Sequence, residues 1–328
     1  MKRSRRTSGV HIAGMVTLLV TLNVRHTAQA VSFQFQPLDI PGSSYTLILG
    51  LNNAGQIVGR FGNSSGDHGF LRDAGGKVTT LDAPGASYTE AFSVNDAGKV
   101  AGWFKDGTGT QHGFVFQNNS YQQIDVLGAS GTIVLAINNN GDLAGPYFGG
   151  GTEHGFVRIG SVFIEFDPTG SEFTEVYGLN DAGTAVGYYD DAAGEHGFLR
   201  QPSGTISTVD FPGAQFSGLL GLNNTGQFTG YFVDDLGFHG YLWDGGLSFL
   251  PFDFPGATLT VPAGINDSRQ FVGFDETGDE IRHGFVAATV AEPGAGFLFG
   301  MGLLCLIGTA WRRGPKNVAA SFPHHRFL

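Results

Sequence analysis

One cysteine, Cys305, occurs in 328 residues and it lies in an apolar stretch near the C-terminus, so the rest of the chain has no disulfide and no thiol chemistry. Basic residues are scarce as well. The whole chain has 18 Lys and Arg against 29 Asp and Glu, and between residues 31 and 290 the balance is 9 against 28. A surface of that sign repels nucleic acid and anionic lipid, and it attracts cations or basic partners. Helical periodicity is missing from the same stretch. No Gly-x-Ser-x-Gly elbow, phosphate-binding loop or His-Glu-x-x-His pair appears, so the common sequence signs of catalysis are lacking.

Glycine, by contrast, is abundant at 53 residues, and it is periodic rather than scattered. His-Gly-Phe begins at His68, His112, His154, His196 and His283, and His239 begins the variant His-Gly-Tyr. Two further landmarks keep the same interval of about 43 residues. An Asn-Asn/Asp-x-x-Gly turn starts at Asn52, Asn95, Asn138, Asn180, Asn223 and Asn266, with Ser268 and Arg269 replacing Ala-Gly in the last copy. An Asp followed by a Gly turn starts at Asp39, Asp82, Asp125, Asp167, Asp210 and Asp253. One structural unit has been copied six times.

Residues 82 to 125 show the unit in full. Strand-like segments at 88–94, 99–104, 112–116 and 121–125 are separated by Asn, Asp and Gly turns. Four short antiparallel strands repeated at this interval are the pattern of a β-propeller blade. The chain begins with a lone final strand near 32–42 and its last unit stops after a third strand at 283–290. The sequence therefore predicts an all-β, six-bladed propeller of four-stranded blades over 31–290, closed when the N-terminal strand completes the last blade. The alternatives are an open β-array or a sandwich, which would leave exposed edges.

The two ends read as addresses. Lys2, Arg3, Arg5 and Arg6, an apolar stretch over 10–24 and Ala28-Gln29-Ala30 give residues 1–30 the three parts of a secretory signal peptide. At the other end Glu292-Pro293 precedes an apolar run over 295–311, then Arg312-Arg313 and a short tail over 314–328. Seventeen residues approach the length of a membrane span, and the arginines favour a cytoplasmic tail. Residues 291–313 resemble the PEP-CTERM sorting signal of Gram-negative bacteria, with Glu292, Pro293, Arg312 and Arg313 at the matching positions and Ala291 in place of the first Pro. That resemblance implies an exosortase-type processing enzyme as a partner and delivery to the cell surface or an exopolysaccharide matrix. The repeats over 33–290 resemble the bacterial extracellular repeat called HAF, with Gly in place of its Ala. This second resemblance implies the fold and names no ligand.

The repeated His and Asp residues fit structural markers better than ligands. Equivalent places in different blades lie far apart around a ring, so each His is expected to hydrogen-bond within its blade, to the repeated Asp or to a backbone carbonyl. Asp190-Asp191, Asp234-Asp235 and Asp275-Glu276 offer hard oxygens on loops and make calcium the one cofactor candidate, against a reading as solvated hairpin tips. Arg72, Arg158 and Arg200 recur two residues after the Phe of the motif, without the Asp box that would accompany them in a sialidase.

Function is expected where the copies differ. After the second-strand Gly stand Arg60, Trp103, Pro146, Tyr188, Tyr231 and Phe274. Trp103, Tyr188, Tyr231 and Phe274 are candidates to stack on sugar rings; the competing reading is packing between blades. The sequence thus points to an exported, surface or matrix-associated, non-catalytic binding protein, with polysaccharide or surface proteins as partners. The alternative is an extracellular carbohydrate-active enzyme.

Overall fold

The computed structural model describes residues 31–291, except Leu247 and Asp279, and every regular element there is a strand. Strand β1 (Val31–Pro37) stands alone at the start. Then come β2 (Tyr45–Leu51), β3 (Ile57–Asn63), β4 (Gly66–Arg72) and β5 (Val78–Leu81), and β6 (Tyr88–Val94), β7 (Val100–Lys105), β8 (Gln111–Gln117) and β9 (Ser120–Ile124). The third repeat holds β10 (Gly131–Thr132), β11 (Ala136–Ile137), β12 (Leu143–Gly149), β13 (Thr152–Ile159) and β14 (Val162–Phe166). The fourth holds β15 (Phe173–Leu179), β16 (Ala185–Asp191), β17 (Gly194–Arg200) and β18 (Ile206–Thr208). The fifth holds β19 (Phe216–Leu222), β20 (Phe228–Asp234), β21 (Gly237–Trp243) and β22 (Phe249–Phe252), and the sixth β23 (Leu259–Ile265), β24 (Gln270–Glu276) and β25 (Arg282–Ala291).

These strands form a β-propeller arrangement of four-stranded blades, each an antiparallel meander such as β2-β3-β4-β5 or β6-β7-β8-β9. The expected six-bladed propeller of four-stranded blades needs correction. Four sheets are separate, and one of them has five strands. The remaining strands make one eight-stranded sheet, because β21 and β23 share a single parallel bridge, Phe238 to Leu259. The five-stranded sheet has a local cause. Pro146 occupies the β12 position that pairs with the inner strand; it has no N–H to donate, and the inner strand is split into β10 and β11 on either side of it. β1 lies antiparallel on β25 from Val31 opposite Ala291 to Pro37 opposite Phe285.

The repeated residues explain themselves in this frame. Phe70, Phe114, Phe156, Phe198, Tyr241 and Phe285, the third residues of the His-Gly-Phe copies, have no exposed surface and form the centre of each repeat's packing. The Gly before them clears space for the next repeat: a Cβ on Gly113 would lie 2.5 Å from Val134 Cγ2 and 2.9 Å from the Ile124 carbonyl oxygen. The second-strand Gly is tighter still, since a Cβ on Gly102 would lie 2.0 Å from the Glu90 carbonyl oxygen.

Candidate functional site

Each Asn turn is built by its own side chain. Asn95 Oδ1 accepts hydrogen bonds from the backbone N–H of Ala97 at 3.1 Å and of Lys99 at 3.0 Å, which closes the turn that joins β6 to β7. The other side of the amide faces the neighbouring repeat. Asn52 Nδ2 donates to the Asn95 carbonyl at 2.9 Å, Asn95 to Asn138 at 3.0 Å, and Asn138 to Asn180 at 3.1 Å. Asn180 donates to Asn223 at 3.4 Å, Asn223 to Asn266 at 3.0 Å, and Asn266 back to Asn52 at 3.3 Å. All six asparagines are buried.

The next residue in each turn builds a second belt, exposed to solvent, in which Asn and Asp alternate: Asn53, Asp96, Asn139, Asp181, Asn224 and Asp267. Each backbone N–H donates to the side-chain Oδ1 of the following member, from Asn53 to Asp96 at 2.9 Å round to Asp267 to Asn53 at 2.9 Å. Asn53 Nδ2 bridges the carboxylates of Asp96 and Asp267, and Asn139 Nδ2 bridges those of Asp96 and Asp181. Alternation is what makes this belt self-consistent. A ring of six Asp would have no side-chain donors, and a ring of six Asn would lose the charge-assisted acceptors.

The two belts form the mouth of an axial pocket of about 100 Å³, which opens to solvent and is lined by all six repeats. Below the belts its wall turns apolar, with Leu49, Phe92, Leu135, Tyr177 and Ala263 among the lining residues. Phe92 and Tyr177 meet across the axis with ring centroids 5.7 Å apart and narrow the pocket there. The outer belt holds three carboxylates and three amides and the wall is apolar, a combination suited to a ligand with a polar or cationic head and a less polar body.

The opposite ends of the strands carry the six histidines. Each Nδ1–H donates to a repeated Asp: His68 to Asp82 at 2.9 Å, His112 to Asp125 at 3.0 Å and His154 to Asp167 at 2.6 Å. His196 reaches Asp210, His239 reaches Asp253 and His283 reaches Asp39, each at 2.9 Å. Five rings lie against an aromatic neighbour on the second strand, for example His154 on Tyr147 at 5.2 Å. In the sixth repeat that place is taken by Asp275, directly opposite His283.

Other residues singled out in the sequence are placed differently from the expectation. Trp103 is 5% exposed, Tyr188 2%, and Tyr231 and Phe274 not at all, so none of the four presents a ring face to solvent. Position after the second-strand Gly decides which side of a sheet a side chain takes, and the neighbouring repeat covers that side. The acidic pairs do not assemble a calcium cage. Asp191 Oδ1 accepts from the Ala193 N–H, Asp234 Oδ1 from the Leu236 N–H and Asp235 Oδ1 from Gln215 Nε2, while Asp275 is buried away from Asp190 and its loop. Among the described residues no three His, Cys, Asp or Glu side chains are grouped to hold a metal ion, and Glu276 pairs instead with Arg282 at 3.8 Å. Arg158 lies over Phe163 and Arg200 over Phe166, on the outer strands. Glu292, Pro293, Arg312, Arg313 and residues 1–30 lie outside the described residues. Among the described residues no helix is long and apolar enough to cross a membrane.

Sequence reasoning missed a buried acid and tyrosine cluster in the fourth and fifth repeats. Tyr177 and Tyr188 both donate to Glu175 Oε2, and Tyr231 donates to Glu195. Burial pushes the Glu195 carboxyl up to about 7; Glu175 and Asp190 add to the rise, and the Tyr231 hydroxyl opposes it. Burial and then the Glu175 charge hold the Tyr177 hydroxyl well above its ordinary range. The signal was present in the sequence as Tyr177, at an inner-strand position where the other copies carry Leu49, Phe92, Leu135, Leu220 and Ala263.

No protein-family model and no curated protein matches the sequence. Solved structures are similar to it at the level of fold. TolB from Acinetobacter baumannii superposes with a TM-score of 0.52 at 11% identity, covering 72% of this chain and 66% of TolB. A catalytically inactive virginiamycin B lyase from Staphylococcus aureus, solved with quinupristin, gives 0.49 at 11% identity over 79% of this chain and all of that one. The fucose-specific lectin from Aleuria aurantia gives 0.48 at 13% identity, again over 79% and 100%. At these identities the likeness concerns the fold alone.

Proposed function

We propose that this is an exported, non-catalytic binding protein of the cell surface or extracellular matrix whose axial pocket takes a saccharide group of an exopolysaccharide. The observation that carries the reading is the pocket itself, where all six repeats converge and a ring of alternating amides and carboxylates surrounds an apolar wall. Hydroxyl groups both donate and accept, so they match such a ring; the strongly acidic domain disfavours acidic polymers, and neutral or amino-sugar chains are the expected class.

Export is supported by the signal-like residues 1–30, and delivery to a matrix by the PEP-CTERM-like end, which would be handled by an exosortase-type enzyme with residues 295–311 in the membrane. HAF-type repeats fit the same extracellular setting. In this reading the ring has six blades, with the eight-stranded sheet counted as two blades that touch at one bridge and β1 completing the last of them. Support for that comes from the belt of six asparagines, which returns from Asn266 to Asn52.

A glycan array probed with the purified protein tests the reading. Binding to neutral or amino-sugar glycans is expected, reduced at least tenfold by Ala263→Phe, which fills the throat, in a protein whose melting curve is otherwise retained. No binding to any glycan, or release of reducing ends from a bound polysaccharide, would sink it; the second outcome would favour a carbohydrate-active enzyme.

A further inference from the structure

We propose a second saccharide site, centred on Glu90 and Trp103 at the junction of the first and second repeats, that receives a sugar hydroxyl. It rests on the glycan-binding reading for its ligand class and not on the axial pocket for its place.

Of the six junctions between repeats, this one sets a cation from one second strand against an anion on the next inner strand. The pairs at the equivalent positions are Arg60 with Glu90, then Trp103 with Ile133, Pro146 with Glu175, Tyr188 with Gly218, Tyr231 with Val261 and Phe274 with Leu47. Glu90 is fully buried and Arg60 nearly so, with Arg60 Nε 3.5 Å from Glu90 Oε2. The Tyr88 hydroxyl stands between them, donating to Glu90 Oε2 and accepting from Arg60 Nη1. Burial opposes the Arg60 charge, yet the Glu90 carboxylate together with Tyr88, Tyr45 and Asp67 outweighs it and keeps the guanidinium above its usual range.

The cluster is incomplete in a specific way. Glu90 Oε1 accepts no hydrogen bond, and the indole N–H of Trp103 and the Nε–H of Arg60 donate none. Glu90 and Trp103 are direct cross-strand partners, so the residue with the unfilled acceptor stands opposite the residue with the unfilled donor. Buried polar groups in folded proteins are very largely paired, and Glu90 Oε1 and the Trp103 N–H, both without a hydrogen bond, mark a place for a missing group. A group that donates to a carboxylate and accepts from an N–H is a hydroxyl. The Tyr88 phenol already illustrates that arrangement one oxygen away, on Oε2.

The surrounding surface fits a ring sugar. Tyr45 and Tyr88 are half-buried, and Arg60 lies between their faces, 5.5 and 5.2 Å from the ring centroids. Tyr88 packs on Trp103 at 4.7 Å and Lys105 caps both rings. Turning Tyr88 outward would uncover the Glu90 and Trp103 atoms, and the aromatic faces of Trp103 and Tyr45 would remain to pack against the C–H face of a pyranose.

The test is titration of the full-length protein with methyl glycosides of galactose, mannose, glucose and N-acetylglucosamine, followed by calorimetry and tryptophan emission. At least one glycoside is expected to bind saturably and shift the emission. With Ala263→Phe present in every protein to close the axial pocket, Glu90→Gln and Trp103→Phe should each weaken it tenfold or more, while Tyr88→Ala should bind at least as tightly as the protein that carries Ala263→Phe alone. Trp103→Phe keeps an aromatic ring and removes the N–H with the pyrrole half of the indole, so calorimetry on it gives the answer even if Glu90→Gln misfolds. Absence of saturable binding, meaning that trapped water alone fills the gap, overturns the proposal, and so does binding that both variants leave intact. Failure of the wider reading looks different: the array would then be blank for the parent protein, whereas failure of this site alone leaves array binding that Ala263→Phe abolishes.

Discussion

Asn266 donates its side-chain amide to the backbone carbonyl of Asn52 at 3.3 Å, across 214 positions of sequence. The five other bonds of the belt join neighbouring copies of the repeat, and this one joins the last copy to the first. Its loss therefore removes a contact that holds the ends of the array together, together with turn bonds from Asn266 Oδ1 to the N–H groups of Ser268 and Gln270, both 3.0 Å. Asn266→Ala is expected to lower the unfolding free energy by about 1–3 kcal/mol, the usual effect of stranding buried hydrogen-bonding groups. Urea unfolding checks it, and an unchanged midpoint would show that the belt is incidental.

Closure can be probed separately through β1. Phe35 packs on Phe285 at 5.5 Å, Phe254 at 5.4 Å and Phe252 at 5.9 Å, so it ties the first strand to the last repeats. Phe35→Ala should cost roughly 2–4 kcal/mol, slightly below the range for a fully buried Phe because this ring is half-exposed. Hydrogen exchange should locate the weakening in 31–37 and 282–291. A uniform loss of protection across all repeats would argue that β1 is not a separable clasp.

The landmarks were legible because they encode local chemistry: Asn and Gly turns, alternating strands and a fixed interval are all written within a single repeat. What the landmarks do across repeats was harder to read. The alternation of Asn53, Asp96, Asn139, Asp181, Asn224 and Asp267 is visible in the sequence, but its meaning depends on hydrogen bonds between residues 42 or 43 apart. The aromatic positions left two readings open, stacking on sugar or packing between blades, for a related reason. Strand alternation tells which side of a sheet Tyr231 occupies, and only the tertiary arrangement tells that another repeat covers that side. Pro146 lay in plain view, yet the split of its partner strand follows from which of its neighbours needed an N–H.

The glycines should not be interchangeable. A Cβ on Gly187 would lie 1.9 Å from the Glu175 carbonyl oxygen, a clash with backbone that no rotamer relieves. On Gly69 it would meet the Leu81 carbonyl oxygen at 2.9 Å and the Ala91 nitrogen at 3.2 Å, a backbone contact that must shift but by far less than at Gly187. Gly69→Ala, which recreates the His-Ala-Phe form of the motif, is expected to cost about 1–2 kcal/mol, and Gly187→Ala about 3 kcal/mol or more, or failure to fold. Equal thermal shifts for the two variants would show that the second-strand approach is looser than this geometry requires.

The pH dependence should single out Glu195. Burial raises its carboxyl from an ordinary value near 4.5 to about 7 in the folded chain, so between those limits the folded protein holds a proton that the unfolded chain releases. The contribution to stability is therefore complete below about pH 4.5 and is lost as the pH climbs through 7. Glu195→Gln mimics the protonated side chain and can still accept from the Tyr231 hydroxyl, so it should match the parent near pH 5 and exceed it near pH 8.5. The expected gain is on the order of 1–3 kcal/mol at the alkaline end, from a shift of that size in one group. Paired urea titrations at both pH values measure it, with the other acids cancelling between parent and variant. A stability difference that stays constant from pH 5 to 8.5 would mean that Glu195 ionises as an ordinary carboxylate and that its burial is relieved by solvent.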